Sequence, residues 1–215
     1  MGVGSDFMKY EMLIFDIDGT LWEAAEQTMI AANIIADKYP EIPRVTIDDI
    51  NKVMGLGKKD IARILMPNIE ENKALKYVDM QISKAIELVN KNGAHIYENV
   101  PETIKKLHSS FKLGIITNNV DNYALLFMKK SGLEEYFIDY IGTSSYGINK
   151  AEAINIMMDR NNVKTACYIG DIKKDMIAAK EANINFIHAR YGFERNLECD
   201  CHIDEISELQ KLLKK

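Results

Sequence analysis

The sequence predicts an α/β protein: a doubly wound, Rossmann-like parallel sheet of about five core strands, interrupted near its start by a helical insert. Three observations lead there. The stretch "YEMLIFDIDGTLW" carries an unbroken apolar run, Met12 to Phe15, that ends at once in two aspartates. A run that is apolar at every position suits a strand covered on both faces, as in a parallel sheet. From about residue 100 onward, short apolar runs alternate with amphipathic stretches, the pattern of repeated βα units. Between these regions, residues from about Trp22 to His95 show helical periodicity without a convincing strand. The expected division is a core of residues 1–21 and 96–215 and a helical domain of residues 22–95.

Each element has its own signal. Ala25, Thr28, Ala32, Ile35 and Tyr39 recur at helical spacing, and Pro40 and Pro43 end that helix. "TIDDINKVM" and "GKKDIARILM" read as two shorter helices on either side of "GLG". Leu75, Val78, Ile82, Ile86 and Val89 form a fourth stripe, closed by Asn92 and Gly93. "NVPETIKKLHSS" begins a helix with proline in its first turn, and "KLGIITNN" is an apolar strand that ends in Thr117 and two asparagines. A helix from Asn122 to Lys130 stops at Gly132, "YFIDYIGTS" is a third strand and "KAEAINIMMDR" a helix. "TACYIGD" is a fourth strand, the following helix reaches Ala182, and "INFIHA" is a fifth strand. A last apolar stripe runs through Ile203, Ile206, Leu209 and Leu213.

Composition narrows the function classes. With 27 basic and 32 acidic residues the formal net charge is -5, and no basic cluster is present, so nucleic acid is not an expected partner. No apolar run approaches the roughly 20 residues that span a bilayer, so no membrane partner is expected. The leader "MGVGSDFMKY" lacks the apolar centre of a signal peptide, and Met8 reads as the native start. Three cysteines, an odd count, suit a reducing cytoplasm better than a disulfide framework. Cys199, Cys201 and His202 in "ECDCH" lack the second half of a zinc site, so a surface loop is expected there.

The chemistry gathers at strand ends. Asp16 and Asp18 end the first strand, Thr117 and Asn118 the second, and Gly170 and Asp171 the fourth, while Lys150 opens the helix after the third. In open α/β sheets, ligands bind at the carboxyl ends of the strands. Taken singly, each piece is ordinary: "DG" makes turns, and a lysine at a helix start is usually solvated. Side by side, the carboxylates need a compensating charge, because two like charges about 4 Å apart repel by ~4 kcal/mol at an effective dielectric near 20. All-oxygen ligation of this kind selects magnesium over zinc.

"DIDGT", the threonine of "IITNN", Lys150 and "GDIKKD" resemble, in order and spacing, the four motifs of haloacid dehalogenase superfamily phosphatases. The helical insert after the first motif is similar to the cap of phosphoglycolate phosphatase-like members. The resemblance implies that Asp16 is the nucleophile, forming an aspartyl-phosphate, and that Asp18 is the general acid and base. It implies that Thr117, Asn118 and Lys150 bind the phosphoryl group, and that Asp16, Asp171 and the backbone carbonyl of Asp18 hold Mg2+. Asp175 is implied as an outer carboxylate acting through water or Lys150. The expected substrate is a small phosphorylated metabolite, with phosphoglycolate among the candidates, and cap contacts are expected from Gly55, Gly57 and Lys58 or Lys59 in "MGLGKK". Three positions depart from the pattern: Ile172 replaces a common Thr or Ser, Ala151 a frequent proline, and Glu23 a frequent Asp. A phosphomutase of the same superfamily and a non-catalytic phosphate-binding module are the alternatives.

Overall fold

The computed structural model describes residues 10–213; Met8, expected as the native start, lies outside them. The chain begins with β1 (Met12–Phe15) and continues through β2 (Trp22–Glu23), α1 (Ala25–Ala36), α2 (Ile47–Asn51), α3 (Lys58–Leu65), α4 (Glu71–Asn92) and β3 (His95–Ile96). It then alternates α5 (Val100–His108), β4 (Lys112–Thr117), α6 (Asp121–Ser131), β5 (Asp139–Gly142), α7 (Thr143–Tyr146), α8 (Lys150–Arg160), β6 (Ala166–Gly170), α9 (Lys173–Glu181) and β7 (Asn185–Ala189). β8 (His202–Ile203) and α10 (Leu209–Leu212) end the described chain.

Six strands form one sheet in the order β5-β4-β1-β6-β7-β8, and every neighbouring pair is parallel. β1 lies centrally because both of its faces must be covered. Leu13 and Phe15 pack into one apolar cluster with Ile104, Phe127 and Leu209, while Met12 and Ile14 pack into another with Ile154, Met157 and Ala179. This period-two division puts α5, α6 and α10 on one face and α8 and α9 on the other. The chain winds outward from β1 through β4 to β5, then returns to the opposite side for β6, β7 and β8. That reversal opens a crevice at the carboxyl end of β1.

Helices α1 to α4 enclose a third apolar cluster, built from Ala32, Ile35, Ile50, Val53, Leu65 and Val78 among others. The insert does contain strand, contrary to the sequence expectation: Trp22 pairs with Ile96 and Glu23 with His95 in an antiparallel ribbon. Trp22 is fully buried and meets the edges of Tyr123 and Phe127 at 5.4 and 5.2 Å between ring centroids. A two-residue strand has no periodicity to read, and its partner lies more than seventy positions along the chain.

The C-terminal region needs a second correction. The expected loop at His202 and the helical stripe beginning at Ile203 are instead a sixth strand, with His202 opposite His188 and Ile203 opposite Ala189. α10 covers only Leu209–Leu212, and a 3-10 turn precedes it at Ile206–Glu208. Ile203, Ile206 and Leu209 are buried as the stripe predicted, because an edge strand and a short helix both turn their apolar residues to the same core.

Candidate active site

The parallel register brings three strand ends level. Phe15 stands opposite both Ile115 and Ile169, so Asp16, Thr117 and Asp171 emerge within two residues of one another along adjacent strands. Lys150 is the first residue of α8, where Asn149 and Glu152 cap each other's backbone N–H groups. Asp175 lies in the first turn of α9, and its carboxylate accepts from the backbone N–H groups of Asp171 and Ile172. Two glycines make this crowding feasible. Gly19 has φ +84°, and a Cβ there would lie 2.1 Å from Asp171 Oδ2. A Cβ on Gly170 would lie 2.5 Å from Asp175 Oδ2.

Lys150 Nζ donates to Asp16 Oδ1 at 2.8 Å and to Asp175 Oδ1 at 2.5 Å. Carboxylate oxygens of Asp16, Asp171 and Asp175 all lie within 4.8 Å of one another, and all three residues are buried. One ammonium therefore faces three carboxylates. Asp16 Oδ2 and Asp171 Oδ1 have no hydrogen-bond partner, whereas Asp171 Oδ2 accepts from the backbone N–H of Phe193 at 2.7 Å. Burial raises the Asp16 carboxyl to about 7, against the attraction of Lys150, and the neighbouring carboxylate of Asp175 adds to the rise. Asp171 is raised for the same reasons, burial first and Asp175 second. Burial alone would lower the Lys150 ammonium, but Asp16 and Asp175 together hold it well above its ordinary value. Two orphaned, hard anionic oxygens beside a saturated lysine suit a divalent cation with oxygen preference, so the residues present fit Mg2+.

The Asp18 carboxylate points elsewhere. Its Oδ1 accepts from the Tyr123 hydroxyl at 2.6 Å, and Tyr123 in turn accepts from the Trp22 indole N–H at 3.1 Å. Burial raises the Asp18 carboxyl to about 6, and the Tyr123 and Trp22 donors restrain that rise. The side chains of Asp16 and Asp18, two residues apart, thus occupy different electrostatic surroundings.

Above these residues, a cavity of about 90 Å³ separates the sheet from α1–α4, and Asp16, Asp18, Thr117 and Asn118 form its floor. Thr117 Oγ1 accepts from the backbone N–H of Asn119 at 3.2 Å. The Asn118 side chain joins the two layers, donating to the Gly55 carbonyl at 2.6 Å and accepting from Thr143 Oγ1. Gly55 and Lys58 line the cavity. Gly57 caps α3, and with Lys59 it lines a separate outer cleft. Lys58 forms an ion pair with Asp79 on α4. Ile172, where a hydroxyl was expected, is buried and approaches Gly55 from the core side. Lys174 of α9 pairs with Asp60 of α3, a further bond between core and insert. Among the described residues, the carboxylate trio is the only grouping of His, Cys, Asp or Glu that could share a metal, and Cys199, Cys201 and His202 are outside it.

Sequence reasoning missed three contributors. Tyr123 looked like an ordinary residue of an amphipathic helix, although the single tryptophan directly after the first motif is a signal that something packs there. The Phe193 N–H comes from a loop without a motif. Gln81, in the apolar stripe of α4, is 7% exposed and faces the cavity.

Known proteins resemble this chain in sequence and in fold. A family model described as haloacid dehalogenase-like hydrolase matches residues 13–189. The chain is 29% identical over 196 residues to a phosphoglycolate phosphatase of Vibrio vulnificus, covering 85% of each chain. It is 26% identical over 225 residues to the phosphoglycolate phosphatase of Photobacterium profundum, covering 97% of each. The fold is also that of a haloacid dehalogenase-like family hydrolase from Streptococcus pneumoniae, with a TM-score of 0.85, 20% identity and coverage of 96% of this chain and 99% of that one.

Proposed function

The chain belongs to the haloacid dehalogenase-like hydrolase family, and from that membership we propose that it is a magnesium-dependent phosphatase that hydrolyses a small phosphate monoester through an aspartyl-phosphate on Asp16. The observation that carries this reading is the separation of two buried carboxylates. Asp16 has a free oxygen beside Lys150 and Asp171, while Asp18 is held away from that trio by Tyr123. The curated relatives' names make phosphoglycolate one candidate substrate. Residues 22–95 are proposed as a cap over the site, supported by the Asn118–Gly55 and Lys174–Asp60 bonds. Cytoplasmic residence is part of the same reading and draws on three free thiols, Cys167, Cys199 and Cys201. No described helix is long and apolar enough to cross a membrane.

In this reading Asp16 and Asp171, with the Asp18 backbone carbonyl, hold Mg2+, which supplies positive charge to a phosphoryl group approached by an anion. The Asp16 carboxylate attacks phosphorus, and the ester oxygen leaves with a proton from Asp18. Asp18, now a base, takes a proton from the water that hydrolyses the acyl phosphate and releases Asp16. Lys150 fixes the Asp16 rotamer through Oδ1. Thr117 and Asn118 hold phosphoryl oxygens at the end of β4.

The test is release of inorganic phosphate from phosphorylated metabolites with Mg2+ and with excess chelator. Full activity in chelator overturns the reading. Stability gives an independent readout. Without metal, the folded Asp16 carboxyl keeps its proton up to about pH 7, whereas an unfolded aspartate loses it near about pH 3.9. The folded state therefore binds more protons between these values, so this group's contribution makes metal-free stability fall as pH rises through that window. Mg2+ competes with those protons, so the rise in Tm on adding Mg2+ is expected to be larger at about pH 8 than at about pH 6.

Tyr123→Phe checks the partition of the two aspartates. It removes the main hydrogen bond that restrains the rise in the Asp18 carboxyl, so the pKa assigned to Asp18 in the pH–rate profile shifts upward. The variant also removes one acceptor of the buried Trp22 N–H, which keeps Asp18 as a partner, so the stability cost is about 0.5–1.5 kcal/mol. An unmoved profile would show that Tyr123 does not act through Asp18.

A further inference from the structure

The cavity that receives the ester's leaving group has a continuous set of aliphatic side chains beside a few polar ones. Val53, Met54, Leu56, Ile61 and Ile82 line it opposite the aspartates. Its only cationic lining residue among those described is Lys58, and that ammonium is paired with Asp79. A substrate carboxylate entering here would lose its hydration and would have to compete with Asp79 for the Lys58 ammonium, which disfavours it relative to an uncharged group. The cavity is not without polarity, however. Gln81 stands in the middle of α4, is 7% exposed and lines the cavity, and its side chain has no hydrogen-bond partner among the described residues. Its amide stays open to the cavity rather than sealed in the protein, so a ligand there can meet its donors and its acceptor.

We propose that this enzyme selects phosphate monoesters of short, uncharged, largely aliphatic alcohols bearing one hydrogen-bonding group, and that Gln81 reads that group. The inference rests on the phosphatase reading above and narrows its substrate class. Size agrees. A single water needs about 10–15 Å³ by the same measure, so about 90 Å³ holds on the order of six to nine water-sized groups. That accommodates a phosphoryl group and a chain of a few carbons. Discrimination has two sources: the apolar part of the wall disfavours a second anion, and the Gln81 amide rewards a hydroxyl or carbonyl at one position along the chain. A leaving group such as glycolate, which carries a carboxylate, meets neither condition.

The experiment compares kcat/KM, with Mg2+ present, for acetyl phosphate, propyl phosphate, 3-hydroxypropyl phosphate and 2-phosphoglycolate. Acetyl phosphate has a good leaving group and reports on phosphorylation of Asp16 alone. Failure to hydrolyse any of the four overturns the phosphatase reading itself and this inference with it. With acetyl phosphate turned over, 3-hydroxypropyl phosphate is expected to exceed both 2-phosphoglycolate and propyl phosphate by about tenfold, the size of one well-made hydrogen bond or more. In Gln81→Leu and Gln81→Met, both close to glutamine in volume, the hydroxypropyl-to-propyl ratio is expected to fall to about one. Thermal unfolding of each variant checks that the fold is retained. A wild-type preference for 2-phosphoglycolate overturns the substrate class. A hydroxypropyl-to-propyl ratio that survives both substitutions overturns the role of Gln81.

Discussion

Asp16→Asn abolishes phosphate release, by on the order of 10⁴-fold or more, and leaves the protein folded. The amide is a poor nucleophile, and no neighbouring carboxylate can replace it without moving. Asp175 is held by Lys150 and two backbone N–H groups, and Asp171 by Phe193. Folding survives because Lys150 keeps Asp175 as its partner when the Asp16 charge is lost. Above about pH 7, where the metal-free Asp16 is ionised, the substitution also relieves crowding, because like charges near 4 Å repel by about 4 kcal/mol at an effective dielectric of about 20. The metal-free variant is therefore expected to melt no lower than the metal-free wild type, and its response to Mg2+ is expected to shrink. Phosphate release and thermal unfolding, each with Mg2+ and with chelator, check both halves. Turnover near the wild-type rate, after contaminating phosphatase is excluded, would move the nucleophile elsewhere.

Asp18→Asn separates leaving groups. A departing alkoxide needs a proton, so transfer from an alkyl phosphate is expected to fall by roughly 10²- to 10⁴-fold. A phenolate leaves without one. An aryl phosphate therefore still phosphorylates Asp16, after which hydrolysis stalls because Asp18 is also the base for water. The expected record is a burst of phenolate and an added phosphoryl mass on Asp16, detected by mass spectrometry after an acid quench. Equal losses for alkyl and aryl esters, with no trapped intermediate, would leave Asp18 only an organising role. The hydrogen bond from Tyr123 is lost or weakened in this variant as well, so comparison with Tyr123→Phe distinguishes proton transfer from positioning.

Much of this molecule is legible in the chain alone. An apolar run with no alternation demands cover on both faces, and β1 lies between β4 and β6 with all four residues buried. Apolar runs of four to six residues, each followed by a helical stripe, give five of the six parallel strands. The site follows from the same pattern, since residues at the ends of parallel strands in one register must meet. Asp16, Thr117, Lys150, Asp171 and Asp175 come from segments up to 159 positions apart and gather at one edge of the sheet.

Other features became visible only in the folded molecule. The β2–β3 ribbon and β8 are two residues per strand, too short to carry a period, and they exist because long-range partners satisfy their backbones. Tyr123 reaches Asp18 across 105 positions, and nothing in its own helix distinguishes it from a core tyrosine. Gln81 sits in a stripe whose spacing says only that the residue is covered; whether it is covered by protein or by an empty cavity depends on how α4 packs over the sheet. Periodicity reports which side of an element is buried. What each buried polar group faces is set by chain segments far away in sequence.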